Sequence, residues 1–293
     1  MILDKITIKN DSGMIVEATA PVIISASRST DIPAFYAKWF FNRLAKGYCV
    51  WYNPFNQQPM YISFKNCKVI VFWTKNPKPI LPYLHELDER GIHYYFQFTL
   101  NDYINEGFEP NVPSIEERID TFKKLSNMIG KEKVIWRFDP LIVTKLITPR
   151  KLLKRIWHIG NLLKGYTDKL VFSFVDVKAY RKVQNNLIKE TACFTKEDVE
   201  SAEMTESQRQ EVIDGLRKTS RLSSIYVSGY IRGLSNDVPN MRSNVGISYA
   251  YYDEGAYQNK DSGVDSAKAD ARYAPEVIEI VNSGLTLNGE EKV

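Results

Sequence analysis

What most constrains this sequence is an alternation. Short apolar and aromatic runs recur, separated by longer segments with the 3.6-residue period of an amphipathic helix. The runs are PVIISASRS (21–29), YCVWYNP (48–54), KVIVFWTKN (68–76), YYFQFTL (94–100), KVIWRFDPL (133–141), KLVFSFVD (169–176) and SIYVSGY (224–230). They are apolar at successive positions, which predicts strands covered on both faces, as in a parallel sheet flanked by helices. The intervening helices are PAFYAKWFFNRLAKG, PKPILPYLHELDERG, SIEERIDTFKKLSNMIG, TPRKLLKRIWHIGNLLKG and TKEDVESAEMTESQRQEVIDGLRK. Ser114 with Glu117, Thr195 with Asp198, and Pro149 after Thr148 are start signals; Gly91, Gly130 and Gly165 are stops. Seven such units in 293 residues predict one α/β domain over 1–293, a TIM-like (β/α) barrel with parallel strands, complete or incomplete, with 231–293 as a C-terminal extension. An open doubly wound sheet is the alternative. QQPMYISF (57–64) is expected to pair with YCVWYNP as a hairpin.

Composition removes several classes of function. No segment approaches the ~20 apolar residues of a membrane span, and MILDKITIKN lacks a signal peptide's apolar run, so a cytoplasmic protein without membrane partners is expected. Cys49, Cys67 and Cys193 are far apart and form no CxxC or Cys/His spacing, which speaks for buried thiols and against a disulfide framework or thiolate metal site. A net charge of +4, evenly spread, gives no support to a nucleic-acid partner but does not oppose an anionic ligand. His85 and His158 fall on helices and His93 just before a strand, so histidine chemistry is not expected.

In parallel α/β folds ligands bind at the carboxyl ends of the strands. Those ends carry Arg28 and Asp31, Asn53, Lys75 and Asn76, Gln97 and Thr99, Arg137 and Asp139, Ser173 and Asp176, and Ser228. Arg28, Lys75 and Arg137 among amides and hydroxyls suit a phosphate or carboxylate, with Trp51, Trp73, Phe96 and Trp136 near enough in sequence to stack a flat ring. Arg137, set between bulky apolar neighbours, needs a partner or ligand; pairing with Asp31, Asp139 or Asp176 purely as scaffolding is the competing account. The three aspartates are the candidate proton-transfer groups and the residues that would hold a divalent metal such as Mg²⁺.

The runs SRSTDIPAFYAKWFFNRLAKGY, NPFN, VFWTKNP, PYLHELDERG, YYFQFTL, EPNVPS, VIWRFDPL and FSFVDVKAYRKV together resemble, over almost the whole chain, a bacterial family known as domain of unknown function 1848. The resemblance implies kinship with radical S-adenosylmethionine barrels, whose relatives close with a C-G-C stretch and a C-x3-C-x2-C motif that holds a [4Fe–4S] cluster. Here the C-G-C positions are Val245, Gly246 and Ile247, and the three cluster positions are Lys260, Val264 and Ala267, inside the small-residue loop GAYQNKDSGVDSAKAD (255–270). Valine, alanine and an ammonium cannot replace thiolates, so no iron–sulfur cluster is expected and the loop is expected to be exposed or poorly ordered.

Two classes of function follow. One is a cluster-free enzyme that binds a nucleotide-like or other anionic small molecule at the strand ends, with Asp31, Asp139 or Asp176 moving a proton. The other is a binding or interaction module without catalysis. A Schiff-base lyase using Lys75 is a third, weaker reading. Substrate and oligomeric state are not written in the residues.

Overall fold

Lys5–Lys9 (β1) and Ile15–Thr19 (β2) form an antiparallel hairpin, with Lys5 opposite Thr19 and Lys9 opposite Ile15. Its turn is made by Asn10, whose Oδ1 accepts the amides of Ser12 at 3.1 Å and Met14 at 2.9 Å, and by Gly13 at a φ of 80°. The computed structural model describes residues 4–26, 30–53, 56–178, 180–223, 226–230, 247–250 and 277–280. The chain divides into two compact units, Met1–Phe98 with Ser266–Val293, and Thr99–Asp265.

In the first unit the fully buried Ile23–Ala26 (β3) leads to a short helix, Ile32–Phe35 (α1), and at once to Ala37–Lys46 (α2). Gly47, at a φ of 82°, ends α2 in the left-handed conformation that a side chain resists. The chain then returns through Tyr48–Tyr52 (β4) and Pro59–Ser63 (β5), an antiparallel pair that places Tyr48 opposite Ser63. These strands join the N-terminal hairpin in a four-stranded sheet of order β1-β2-β5-β4. The predicted hairpin is therefore present, but YCVWYNP is not one of the parallel strands. A short return to β5 can only give an antiparallel neighbour, whereas a parallel one needs a crossover.

Val69–Thr74 (β6) pairs parallel with β3, Ile23 beside Val69 and Ala26 beside Phe72. After a 3-10 segment and the single-turn helix His85–Glu89 (α3), His93–Thr99 (β7) pairs parallel with β6, Trp73 beside Gln97. On the other edge of β3 lies the parallel strand Val277–Ile280. Phe40 of α2 meets Phe72 edge-on at 5.5 Å, and Phe72 stacks on Phe96 at 5.0 Å, so the helix is seated by aromatic contacts directly on the strands.

The second unit begins beside Val134–Leu141 (β8): the amide of Leu100 donates to the Arg137 carbonyl at 2.9 Å, and the indole of Trp136 to the Leu100 carbonyl at 3.0 Å. Ile115–Ile129 (α4) precedes β8, with the predicted capping box of Ser114 and Glu117 in place. Pro149–Leu162 (α5) follows β8, capped by Thr148. Lys169–Phe174 (β9) pairs parallel with β8, Arg137 beside Val171. Arg181–Glu190 (α6) is amphipathic but shallowly seated: Val183, Leu187 and Ile188 lie half-buried along one face and no residue is fully buried.

The long polar segment predicted as one helix is shorter. Thr195 and Asp198 close their own turn, with the Thr195 amide donating to Asp198 Oδ1 at 2.6 Å, and the helix starts only at Glu206–Ser223 (α7). There Thr205 and Gln208 cap reciprocally at 2.9 and 3.3 Å. Tyr226–Tyr230 (β10) and Ile247–Ala250 (β11) extend the parallel ladder beyond β9. The fold is thus mixed α/β with parallel strands. Six of the seven predicted runs form parallel strands, three in the first unit and three in the second, and YCVWYNP is the exception. No closed sheet forms among the described strands. Among the described residues no helix is long and apolar enough to cross a membrane.

Candidate functional site

The first unit brings together polar groups from three adjacent strands. Asp31 follows β3 and is the N-cap of α1: Oδ1 accepts the Ala34 amide at 3.0 Å, while Oδ2 accepts the Lys75 amide, just beyond β6, at 2.7 Å. One carboxylate thus ties the helix start to the end of the neighbouring strand. Burial pushes the Asp31 carboxyl above its ordinary value, against the opposing pull of the Lys75 amide, the Thr74 hydroxyl and the Ala34 amide. Thr74 Oγ1 also accepts the Asn76 amide at 3.0 Å, and Asn76 Oδ1 accepts the Lys78 amide at 3.2 Å, so the turn after β6 is fixed by its own side chains. Gln97, on β7 beside Trp73, is buried at 3% exposure.

The second unit has its own cluster. Arg137, buried on β8, donates from Nε to Asp139 Oδ2 at 3.1 Å, and Nη2 reaches the same oxygen. Asp139 Oδ1 accepts the hydroxyl of Ser173 on β9. Asn101 brackets the backbone of Asp139: its Oδ1 accepts the Asp139 amide at 2.9 Å and its Nδ2 donates to the Asp139 carbonyl at 3.0 Å. Asn101 is itself held by buried Glu109, whose other oxygen meets Arg118 at 3.5 Å, and Arg118 donates to the Asn101 carbonyl at 2.9 Å. Tyr103 adds a hydrogen bond to the Pro140 carbonyl at 2.9 Å. The result is an aspartate whose backbone and side chain are both fixed, a quarter exposed and facing a hydroxyl.

Asp31, Lys75 and Asn76 are therefore joined in one cluster with Gln97 on the neighbouring strand beside Trp73, and Arg137, Asp139 and Ser173 form another. Thr99 ends β7, and Asp176 follows β9; both are half-buried. Asn53 lies in the β4–β5 turn, where its amide donates to the Gln58 carbonyl at 3.0 Å and its carbonyl accepts the Gln57 amide at 2.8 Å. Arg28 lies outside the described residues, as does the side chain of Ser228. The sequence reading missed Asn101, Glu109 and Arg118. Its signal was an Asn two residues past a strand, LND, with a Glu and an Arg further on at no recognisable spacing. Glu203 was missed as well; its Oε1 accepts the amides of both Val177 and Lys178 at 2.6 Å and so fixes the loop after β9.

The three cysteines are free thiols. Cys49 on β4 and Cys67 before β6 are buried, and burial pushes each up to about 12; Cys193 is raised for the same reason. None is held as a ready thiolate. Val245, Gly246, Lys260, Val264, Ala267 and the loop 255–270 fall outside the described residues, and Ile247 opens β11. Among the described residues no three of His, Cys, Asp or Glu gather as metal ligands.

Parallel strands connected through helices place the chain in the mixed α/β class. Within that class the chain belongs to the family described as Domain of unknown function (DUF1848), whose model matches residues 23–250. No curated protein and no solved structure matches.

Proposed function

We propose that this chain binds a nucleotide-like or other anionic small molecule at the carboxyl ends of its parallel strands and acts on it without an iron–sulfur cluster. The observation that carries this reading is Asp31, a carboxyl raised by burial at the junction of β3, β6 and a helix start. A carboxyl shifted toward neutrality is suited to take up and return a proton. Lys75 and Asn76, on the adjoining turn, are the groups assigned to the anion, with Gln97 behind them. In the second unit Asp139 and Ser173 form a comparable carboxylate–hydroxyl pair backed by Arg137. The parallel ladders and the family resemblance favour a TIM-like barrel of the radical S-adenosylmethionine type as the frame.

A non-catalytic binding module is the second reading, and one observation favours it: the guanidinium of Arg137 already meets Asp139, so that part of the site is satisfied without a ligand. The deciding experiment is mass spectrometry of small molecules released from native protein, followed by titration of the compound found, or of AMP and inorganic phosphate, into the parent and Lys75→Met. The proposal expects an anionic compound whose binding Lys75→Met weakens. No released compound and no anion binding by the parent would refute it. Trapping of a carbonyl compound on Lys75 by borohydride would assign the Schiff-base role instead.

A further inference from the structure

From Pro140 to Thr167 the sequence contains no acidic residue but six cations, Lys145, Arg150, Lys151, Lys154, Arg155 and Lys164. Two of them are spoken for. Lys145 meets Asp198 at 2.6 Å, and Arg155 is forked onto Glu106 at 2.9 Å on both arms. Lys151 reaches only the Leu146 carbonyl, at 3.0 Å. Among the described residues no carboxylate pairs with Arg150, Lys151 or Lys154, and all three are exposed. They stand in the first two turns of α5, the end of a helix where the macrodipole disfavours cations. Such a cluster raises the free energy of the isolated fold and is relieved when an anion meets it.

The same three cations line an open groove of about 470 Å³, walled by Leu153 and by Trp157, whose ring is 48% exposed. About half of the Trp157 surface is thus open beside these cations. The combination of a positive track and an aromatic platform is what unpaired bases and phosphates require. A helix that lies in a membrane surface buries a broad apolar face, whereas here only Leu153 and Trp157 accompany the cations. We infer that the α5 face is a binding site for single-stranded nucleic acid, with a base stacked on Trp157 and phosphates on Arg150, Lys151 and Lys154. This surface is formed by one helix of the second unit and does not use Asp31 or Lys75.

The test is fluorescence anisotropy with a labelled ten-nucleotide oligothymidylate. Three phosphate contacts predict a slope of log affinity on log salt of about −2, an affinity loss of roughly 20-fold between about 50 and about 200 mM salt. Trp157→Ala should weaken binding about fivefold or more with the slope kept. Arg150→Met with Lys154→Met should reduce the slope to about −0.7. All these side chains are exposed, and a thermal melt of each variant checks the fold. Lys75→Met should leave oligonucleotide binding unchanged, so failure here and failure of the strand-end proposal are separable. Absence of binding at low salt, binding indifferent to both variants, or binding only to phosphatidylserine vesicles would each overturn the inference.

Discussion

Arg137 and Asp139 lie two residues apart on β8, and the guanidinium directs both Nε and Nη2 at the single oxygen Oδ2. Period-two alternation makes this pairing natural, because both side chains leave the same face of the strand. Asp139 is 23% exposed and keeps its Ser173 hydrogen bond whatever happens to Arg137. Arg137→Met is therefore expected to cost about 1–3 kcal/mol and not the full penalty of a stranded buried ion. Urea unfolding checks this, and a loss beyond about 4 kcal/mol would make the pair chiefly scaffolding.

The buried pair Glu109–Arg118 should behave differently. Both groups are nearly inaccessible, at 6% and 1%, and Arg118 also holds the Asn101 carbonyl. Glu109→Ala leaves a guanidinium buried without its counter-charge and frees Asn101, so a loss of about 3–5 kcal/mol is expected, the largest of these substitutions. Denaturant midpoints at constant slope would establish it.

Asp31 gives a pH signature. Its carboxyl is raised in the fold by burial, so the native state holds its proton more tightly than the unfolded chain does. That contribution to stability is complete below the ordinary aspartate value and is lost as pH rises through the raised one. The stability difference between the parent and Asp31→Asn should accordingly shift against the parent from about pH 4 upward. Unfolding free energies measured from acid to neutral pH would show the opposite trend if the amides of Ala34 and Lys75 dominated over burial.

Asp11 reports in the other direction. Arg43 at 2.7 Å and Lys46 at 3.1 Å hold its carboxyl well down, to about 2. Its contribution is present above the ordinary aspartate value and fades as pH falls toward about 2. Because Asp11 is about half exposed, solvent screens the pair and Asp11→Asn should cost no more than about 1 kcal/mol, less at high salt. A melt in about 1 M salt that left the difference unchanged would contradict this.

The parallel strands were legible because each is a run of bulky apolar residues, a local property that survives in any packing. The capping box at Ser114 and the glycine stop at Gly130 were legible for the same reason: their partners lie within a few residues. The pairing of YCVWYNP was less legible, because a strand's sequence does not say which neighbour it will take, and β4 turns back on β5.

The sequence by itself determined the apolar strands, the helix between most of them, and the polar residues that end them; all are set by periodicity and by capping chemistry within a turn or two. Only the tertiary structure decided that Asp31 receives the Lys75 amide across 44 positions, that Asn101 brackets Asp139 across 38, and that Glu109 and Arg118 are buried beneath it. Such contacts join groups brought together by strand pairing and burial. Their energy depends on distance in space and exclusion of water, and neither is encoded in spacing along the chain.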